Sequence, residues 1–218
     1  MSPTTNIVAV IFLLVYTIPS TELKLFHRRS ALTAIDYRLN NDVIPTTYNL
    51  ELILDSGFEK TKEFKGRVEI TFSLKPGVVR TFKPIKLHMK NITLDGHHGI
   101  TLRSMYDNTN LLGNISKPND QLEMIILQPR EMLTNTQYIL TILYTASFQS
   151  NLQGFYLSSY LNGDKNTEWL ATTQFQATHA RKAFPCFDEP NLKAVFHITI
   201  IHPKVYHALS NADVQSIS

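Results

Sequence analysis

Period-two alternation of apolar residues, turn-forming breaks at short intervals and scarce helical periodicity mark this 218-residue chain as mainly β. The architecture expected from such short strands is antiparallel, packed as a β-sandwich or a folded saddle. Tyr48, Leu50, Leu52 and Leu54 fall on one face of the first alternating stretch. Val68, Ile70, Phe72 and Leu74 alternate with Arg67, Glu69, Thr71 and Ser73, the pattern of a half-buried strand. Ile85, Leu87 and Met89 repeat the period, as do Tyr138, Leu140, Ile142 and Tyr144. Leu122 to Leu127 and Ala194 to Ile201 are shorter strand candidates. Between them stand Asp55-Ser56-Gly57, Lys75-Pro76-Gly77, Asp95-Gly96 and Asn162-Gly163-Asp164, residues that tolerate turn conformations or bond their own backbone. Residues 105–121 are polar and read as a surface loop. A short helical turn is expected over Ala177 to Lys182, just before Pro185.

Residues 1–20 read as a signal peptide. Ile7 to Ile18 is an unbroken, mostly apolar run ended by Pro19, with Ser20 as a small residue for cleavage. It is shorter than the ~20 apolar residues that span a bilayer. No Lys or Arg precedes Ile7, whereas Lys24, Arg28 and Arg29 follow the run; the alternative is an N-terminal strand or helix of the fold. Residues 21–35 form a polar leader segment, and 36–218 read as one domain. The expected localisation is the secretory pathway, extracellular or on the outer face of the plasma membrane; membrane anchoring would need a segment this chain does not carry.

Composition narrows the function classes. Apolar residues at 43% suffice for a core, and 21 basic against 18 acidic residues give a net charge of +3. The longest basic runs are the pairs Arg28-Arg29 and Arg181-Lys182, too sparse for nucleic acid. One cysteine, Cys186, leaves no internal disulfide. None of the eight histidines is followed by Glu, so the helical His-Glu-x-x-His zinc site is missing and no metal ligand is assigned. His97-His98 reads as a solvated turn and His197 as a strand histidine. His179 with Cys186 is too thin a pattern for a thiol nucleophile, and Asp188-Glu189, being adjacent, are not a spaced acid/base pair. Two sequons, Asn91-Ile92-Thr93 and Asn114-Ile115-Ser116, are candidate glycosylation sites, with Asn114 expected in the polar loop.

One block carries more. Thr173-Gln174-Phe175-Gln176 followed by Ala180-Arg181-Lys182-Ala183-Phe184-Pro185-Cys186-Phe187-Asp188-Glu189-Pro190 resembles the signature of the aminopeptidase N family of zinc metallopeptidases, the gluzincin aminopeptidases. Tyr37-Arg38-Leu39, Val43 to Tyr48, Phe64-x-Gly66-x-Val68, Leu87-His88, Gly154-Phe155-Tyr156-x-Ser158-x-Tyr160 and Leu209-Ser210-Asn211 match its other landmarks in order. The resemblance covers about residues 36–218 and implies the N-terminal β domain only. It further implies that zinc and catalysis belong to a separate thermolysin-like domain, so that this chain carries no cofactor and no catalytic residue. The partners implied are that zinc domain and peptide substrates bound by their free N-terminus. By resemblance Gln174 lines the pocket for the substrate's first side chain, and Gln176 stands where typical members have a Glu that binds the α-amino group. Arg181, Phe184, Pro185, Cys186, Asp188, Glu189 and Pro190 are implied to be the scaffold of that loop. With the zinc domain elsewhere, Phe175, Phe184 and Phe187 are expected in or near an exposed apolar patch. Two functions stand side by side: part of an enzyme that removes N-terminal residues from peptides, or a truncated, non-catalytic secreted binding or decoy domain.

Overall fold

The computed structural model describes residues 6–9, 37–39, 41–96 and 99–217. The polar leader and His97-His98 lie outside the described residues. Strands dominate: β1 (Asn6–Ala9), β2 (Val43–Ile53), β3 (Glu63–Leu74), β4 (Arg80–Thr81), β5 (Ile85–His88), β6 (Ile92–Leu94), β7 (Ile100–Ser104) and β8 (Leu112–Ile115). They continue with β9 (Met124–Pro129), β10 (Leu133–Thr134), β11 (Gln137–Ser147), β12 (Gly154–Leu161), β13 (Thr167–Gln174), β14 (Val195–Ile201) and β15 (Tyr206–Leu209). One helical turn, α1 (Phe58–Thr61), joins β2 to β3.

The six-stranded sheet runs β14-β2-β3-β11-β6, and β7 shares the β6 side of β11. β2, β3 and β11 pair antiparallel, while β14 joins β2 in parallel. A three-stranded sheet β5-β9-β8 and the antiparallel pair β12-β13 complete the framework, with small pairs β4-β10 and β1-β15. β1 overlaps the start of the apolar run read as a leader and lies parallel to β15. The remainder of that run is outside the described residues.

The alternating faces are where periodicity puts them. Tyr48, Leu50 and Leu52 on β2, with Leu54 just beyond it, Val68, Ile70, Phe72 and Leu74 on β3, and Tyr138, Leu140, Ile142 and Tyr144 on β11 are all buried. β2 changes phase once: Val43 and Pro45 are buried before it, Tyr48 and Leu50 after it. A register shift between Pro45 and Thr47 absorbs the odd residue, as a β-bulge does, and also accommodates a proline within the strand. Gly66 pairs with Tyr144 across the β3-β11 ladder, and a Cβ there would fall inside the Tyr144 ring. The glycine is thus a place for an aromatic ring to lie flat on backbone.

Three expectations need correction. Residues 105–121 are not all loop: Leu111 and Leu112 are buried and Leu112–Ile115 is β8. An apolar pair between Asn110 and Gly113 is too short to show a period, so the strand left no pattern. The Leu122–Leu127 strand begins later, at Met124, because Asn119 to Glu123 form a turn closed by mutual Asn119–Met124 backbone bonds. Phe184 and Phe187 are buried rather than in an exposed patch, since their segment crosses the core. The exposed apolar residues of this region lie instead on the edge strand β14, at Val195, Phe196 and Ile201.

Candidate functional site

The 174–190 segment begins at the end of a hairpin. Gln174 is the last residue of β13 and pairs with Gly154, the first of β12. Gly154 has φ +69°, and a Cβ on it would stand 2.8 Å from Cβ of Lys182 and 3.3 Å from the His179 carbonyl. The hairpin mouth therefore packs directly on the turn that follows it. Gln174 is half-buried, Gln176, Ala177 and Thr178 are exposed, and the Gln176–Ala177 peptide is cis. His179 N–H donates to the Phe175 carbonyl at 2.9 Å, closing the tip. A 3-10 turn, Ala180–Lys182, follows, shorter than the helical turn expected over Ala177 to Lys182. The tip ahead of it is a hydrogen-bonded turn, closed by the His179–Phe175 bond, which has the i to i−4 spacing of an α-helix but is not continued as one.

Beyond the tip every residue from Arg181 to Phe187 is buried. Cys186 and His88 exchange two backbone hydrogen bonds, of 3.1 and 2.9 Å, and Lys90 N–H donates to the Arg181 carbonyl at 2.9 Å. The segment is thereby stitched alongside the end of β5. Phe187 N–H donates to the buried Tyr48 hydroxyl at 3.0 Å. Phe184 makes edge contacts with the rings of Tyr48 (6.3 Å), Phe175 (5.9 Å) and Phe196 (6.2 Å).

Charge follows the same plan. The Arg181 side chain, 7% exposed, meets Asp188 through Nε at 2.8 Å and Glu123 through an Nη at 3.2 Å. Burial, the largest single effect, raises the Glu123 carboxyl, but Lys90, which also pairs with it, and Arg181 together outweigh burial and hold it below the usual range. Glu189 accepts from the Leu39 N–H at 2.8 Å and pairs with Arg38 at 3.5 Å. Lys182 Nζ donates to Gln153 at 2.6 Å, and burial, with Lys90 nearby, lowers its pKa. Pro190 is exposed at the end of the segment.

Asp188 and Glu189, adjacent in sequence, serve different partners on different elements. Burial first, then the charge of Asp188, pushes the Cys186 thiol well above its ordinary value, the opposite of what a nucleophile requires. His88 donates from Nε2 to the Tyr37 carbonyl at 3.1 Å, which leaves Nδ1 as the buried unprotonated nitrogen. Among the described residues no group of three or more His, Cys, Asp or Glu side chains is placed to hold a metal ion, so they offer zinc no donor set.

Glu123 and Gln153 hold this segment without having drawn attention in the sequence, Tyr48 entered only as a strand residue and part of a landmark, and His88 only as part of a landmark. Glu123 lies 58 residues from Arg181 and Tyr48 139 residues from Phe187, separations that no local pattern encodes. Of the two sequon asparagines, Asn91 is exposed in a left-handed bend before β6, and Asn114 is exposed on β8 rather than in a loop.

Compared with known proteins, the chain matches the peptidase M1 N-terminal domain over residues 44–218. It is 34% identical over 180 residues to aminopeptidase N of Rattus norvegicus, covering 80% of this chain and 18% of the relative. Aminopeptidase N of Homo sapiens is 35% identical over 188 residues, with the same coverage. The thyrotropin-releasing hormone-degrading ectoenzyme of Homo sapiens is 33% identical over 180 residues, covering 82% of this chain and 16% of the relative. A β-rich domain with this segment at its hairpin mouth is the N-terminal domain of a zinc metallopeptidase family. The chain belongs to the peptidase M1 family, as its N-terminal domain, and spans less than a fifth of the length of the curated relatives it matches.

Proposed function

We propose that this chain is the part of a secretory-pathway zinc aminopeptidase that holds the N-terminus of a peptide substrate, the zinc and the hydrolytic step being supplied by a catalytic domain outside it. The observation that carries the reading is the contrast within 174–190: a tip with Gln176 exposed and Gln174 half-buried, carried on residues 181–187, which are buried throughout. A substrate ammonium group must be fixed so that only the first peptide bond reaches the metal. The Gln176 amide oxygen accepts from that ammonium without a formal charge. Gln174 lines the pocket of the first side chain, and Arg181, Phe184, Pro185, Cys186, Asp188, Glu189 and Pro190 brace the tip. Residues 1–20 direct the chain to the secretory pathway, where Asn91 and Asn114 take N-linked glycans.

The test starts from the messenger RNA. The protein it encodes through its 3′ end is purified, its zinc measured, and its hydrolysis of aminoacyl substrates followed by steady-state kinetics. A charge-assisted hydrogen bond contributes about 1.5–3 kcal/mol net against about 1 for a neutral one. Gln176→Glu is therefore expected to lower KM several-fold, and Gln174→Ala to change the preference for the first side chain. Unchanged KM in Gln176→Glu removes the ammonium role; a message that ends at Ser218 removes the enzymatic reading.

A further inference from the structure

We propose that the cleft beside Asn114 seats the first N-acetylglucosamine of a glycan carried on Asn114, with the sugar ring stacked on Phe82. The inference rests on the reading of Asn114 as a glycan acceptor and goes beyond it by giving the sugar a place on the folded protein. β8 and β9 pair Leu112 with Pro129 and Ile115 with Leu127, so Gly113 and Asn114 together oppose Gln128. An extra residue in one strand is a bulge, which turns a side chain out of the ladder. The side chain turned out here is Asn114, which is exposed. Gly113 fits because its backbone lies against the partner strand: a Cβ would stand 2.7 Å from the Gln128 carbonyl.

Gln128 links the two walls. Its Nε2 donates to the Phe82 carbonyl at 2.9 Å and lies 3.4 Å from that of Pro129, which fixes the backbone that carries the Phe82 ring. Phe82 is 52% exposed, a large apolar surface left in water at the edge of the cleft. The cleft it forms with Gly113, Asn114, Gln128, Pro129 and Arg130 has a volume of about 370 Å³. That is within the range of about 300–1,000 Å³ typical of small-molecule sites. One face of a β-linked N-acetylglucosamine is a patch of axial C–H bonds carrying partial positive charge, and the face of a phenyl ring is negative. Exposed Arg130 on the rim can donate to the acetamide carbonyl. The occupant is tethered to the cleft wall, so it does not incur the translational cost that a free sugar would.

The test uses the 218-residue chain with Thr93→Ala, which removes the other sequon at an exposed position, secreted from a eukaryotic cell and trimmed to one N-acetylglucosamine. Mass spectrometry reads occupancy at Asn114. With a carbon-13-labelled sugar, NMR is expected to show one face of the ring shifted upfield by the phenyl current. Relative to Asn114→Gln, the glycosylated chain is expected to melt about 2–4 °C higher, and Phe82→Ala to abolish both effects. An unmodified Asn114 overturns the acceptor reading and this inference with it. Full occupancy with no upfield shift, or with the same melting gain in Phe82→Ala, overturns the seat alone.

Discussion

Gln176 and Arg181 are five positions apart and live in opposite surroundings. Gln176, Ala177 and Thr178 are exposed, whereas the seven residues from Arg181 to Phe187 are buried. At the base of the tip the His179 N–H donates to the Phe175 carbonyl. The segment behind it is held by backbone pairing to β5, a ring cluster and ion pairs to two separate parts of the chain, Glu123 and Arg38. A recognition loop benefits from this division: its contact residues stay in water while their positions are set by a rigid base. Substitutions in the base should therefore be costly, and substitutions in the tip nearly silent in stability.

The largest effect is expected for Arg181→Met. It leaves Asp188 and Glu123, 15% and 23% exposed, without their shared cation. Removing one partner of a buried ion pair costs about 3–5 kcal/mol, and the partial exposure of both carboxylates places this case near the lower end. Urea denaturation of the two chains measures it; a loss below about 1 kcal/mol would show that the base does not depend on the network.

Tyr48→Phe comes next. It removes the acceptor of the Phe187 N–H while keeping the ring that stacks on Phe196 at 4.5 Å. A buried donor left unpaired costs about 1–3 kcal/mol. The same denaturation experiment checks it, and an unchanged midpoint would mean that Phe187 finds another partner.

A smaller effect should appear with pH. Burial first, then the Arg181 charge, lowers the His88 pKa, against the Tyr37 carbonyl, Asp188 and Glu189, which raise it. His179 is lowered by burial and by Lys182. A histidine in the unfolded chain titrates near 6.5, above both folded values. The unfolded state then takes up protons first, so stability is full above about pH 6.5 and falls as pH drops through the folded values. Asp42 and Glu123, whose carboxyls are lowered, add a separate loss at more acid pH. Melting temperature followed from pH 7.5 to 5 is expected to decline below about 6.5, and His88→Gln, which keeps a donor for Tyr37, to flatten part of the decline. A wild-type curve without slope in that window would mean that His88 and His179 bind protons as readily in the folded chain as in the unfolded one.

Much of the sheet was legible in the sequence because each long strand buries one face, and period two exposes that directly: β2, β3, β5 and β11 are readable from Tyr48, Val68, Ile85 and Tyr138 onward. β8 was not, since two leucines make no period. β14 was read as a strand, but its exposure was not, because Val195 to Ile201 is as apolar as a core strand while lying at a sheet edge. The 174–190 block was visible only through resemblance. Its apolar residues, Phe184 and Phe187, gave no hint of burial because burial there comes from Tyr48, Glu123 and His88, all distant in sequence.

Amide hydrogen exchange on the folded chain compares the two halves of the loop in one experiment. The amides of His88, Lys90, Cys186 and Phe187, each bonded across the base, are expected to exchange only through global unfolding. Those of Gln176, Ala177 and Thr178 are expected to exchange orders of magnitude faster. Exchange at Cys186 and Phe187 as rapid as at Gln176 would contradict the division into an anchored base and a presented tip.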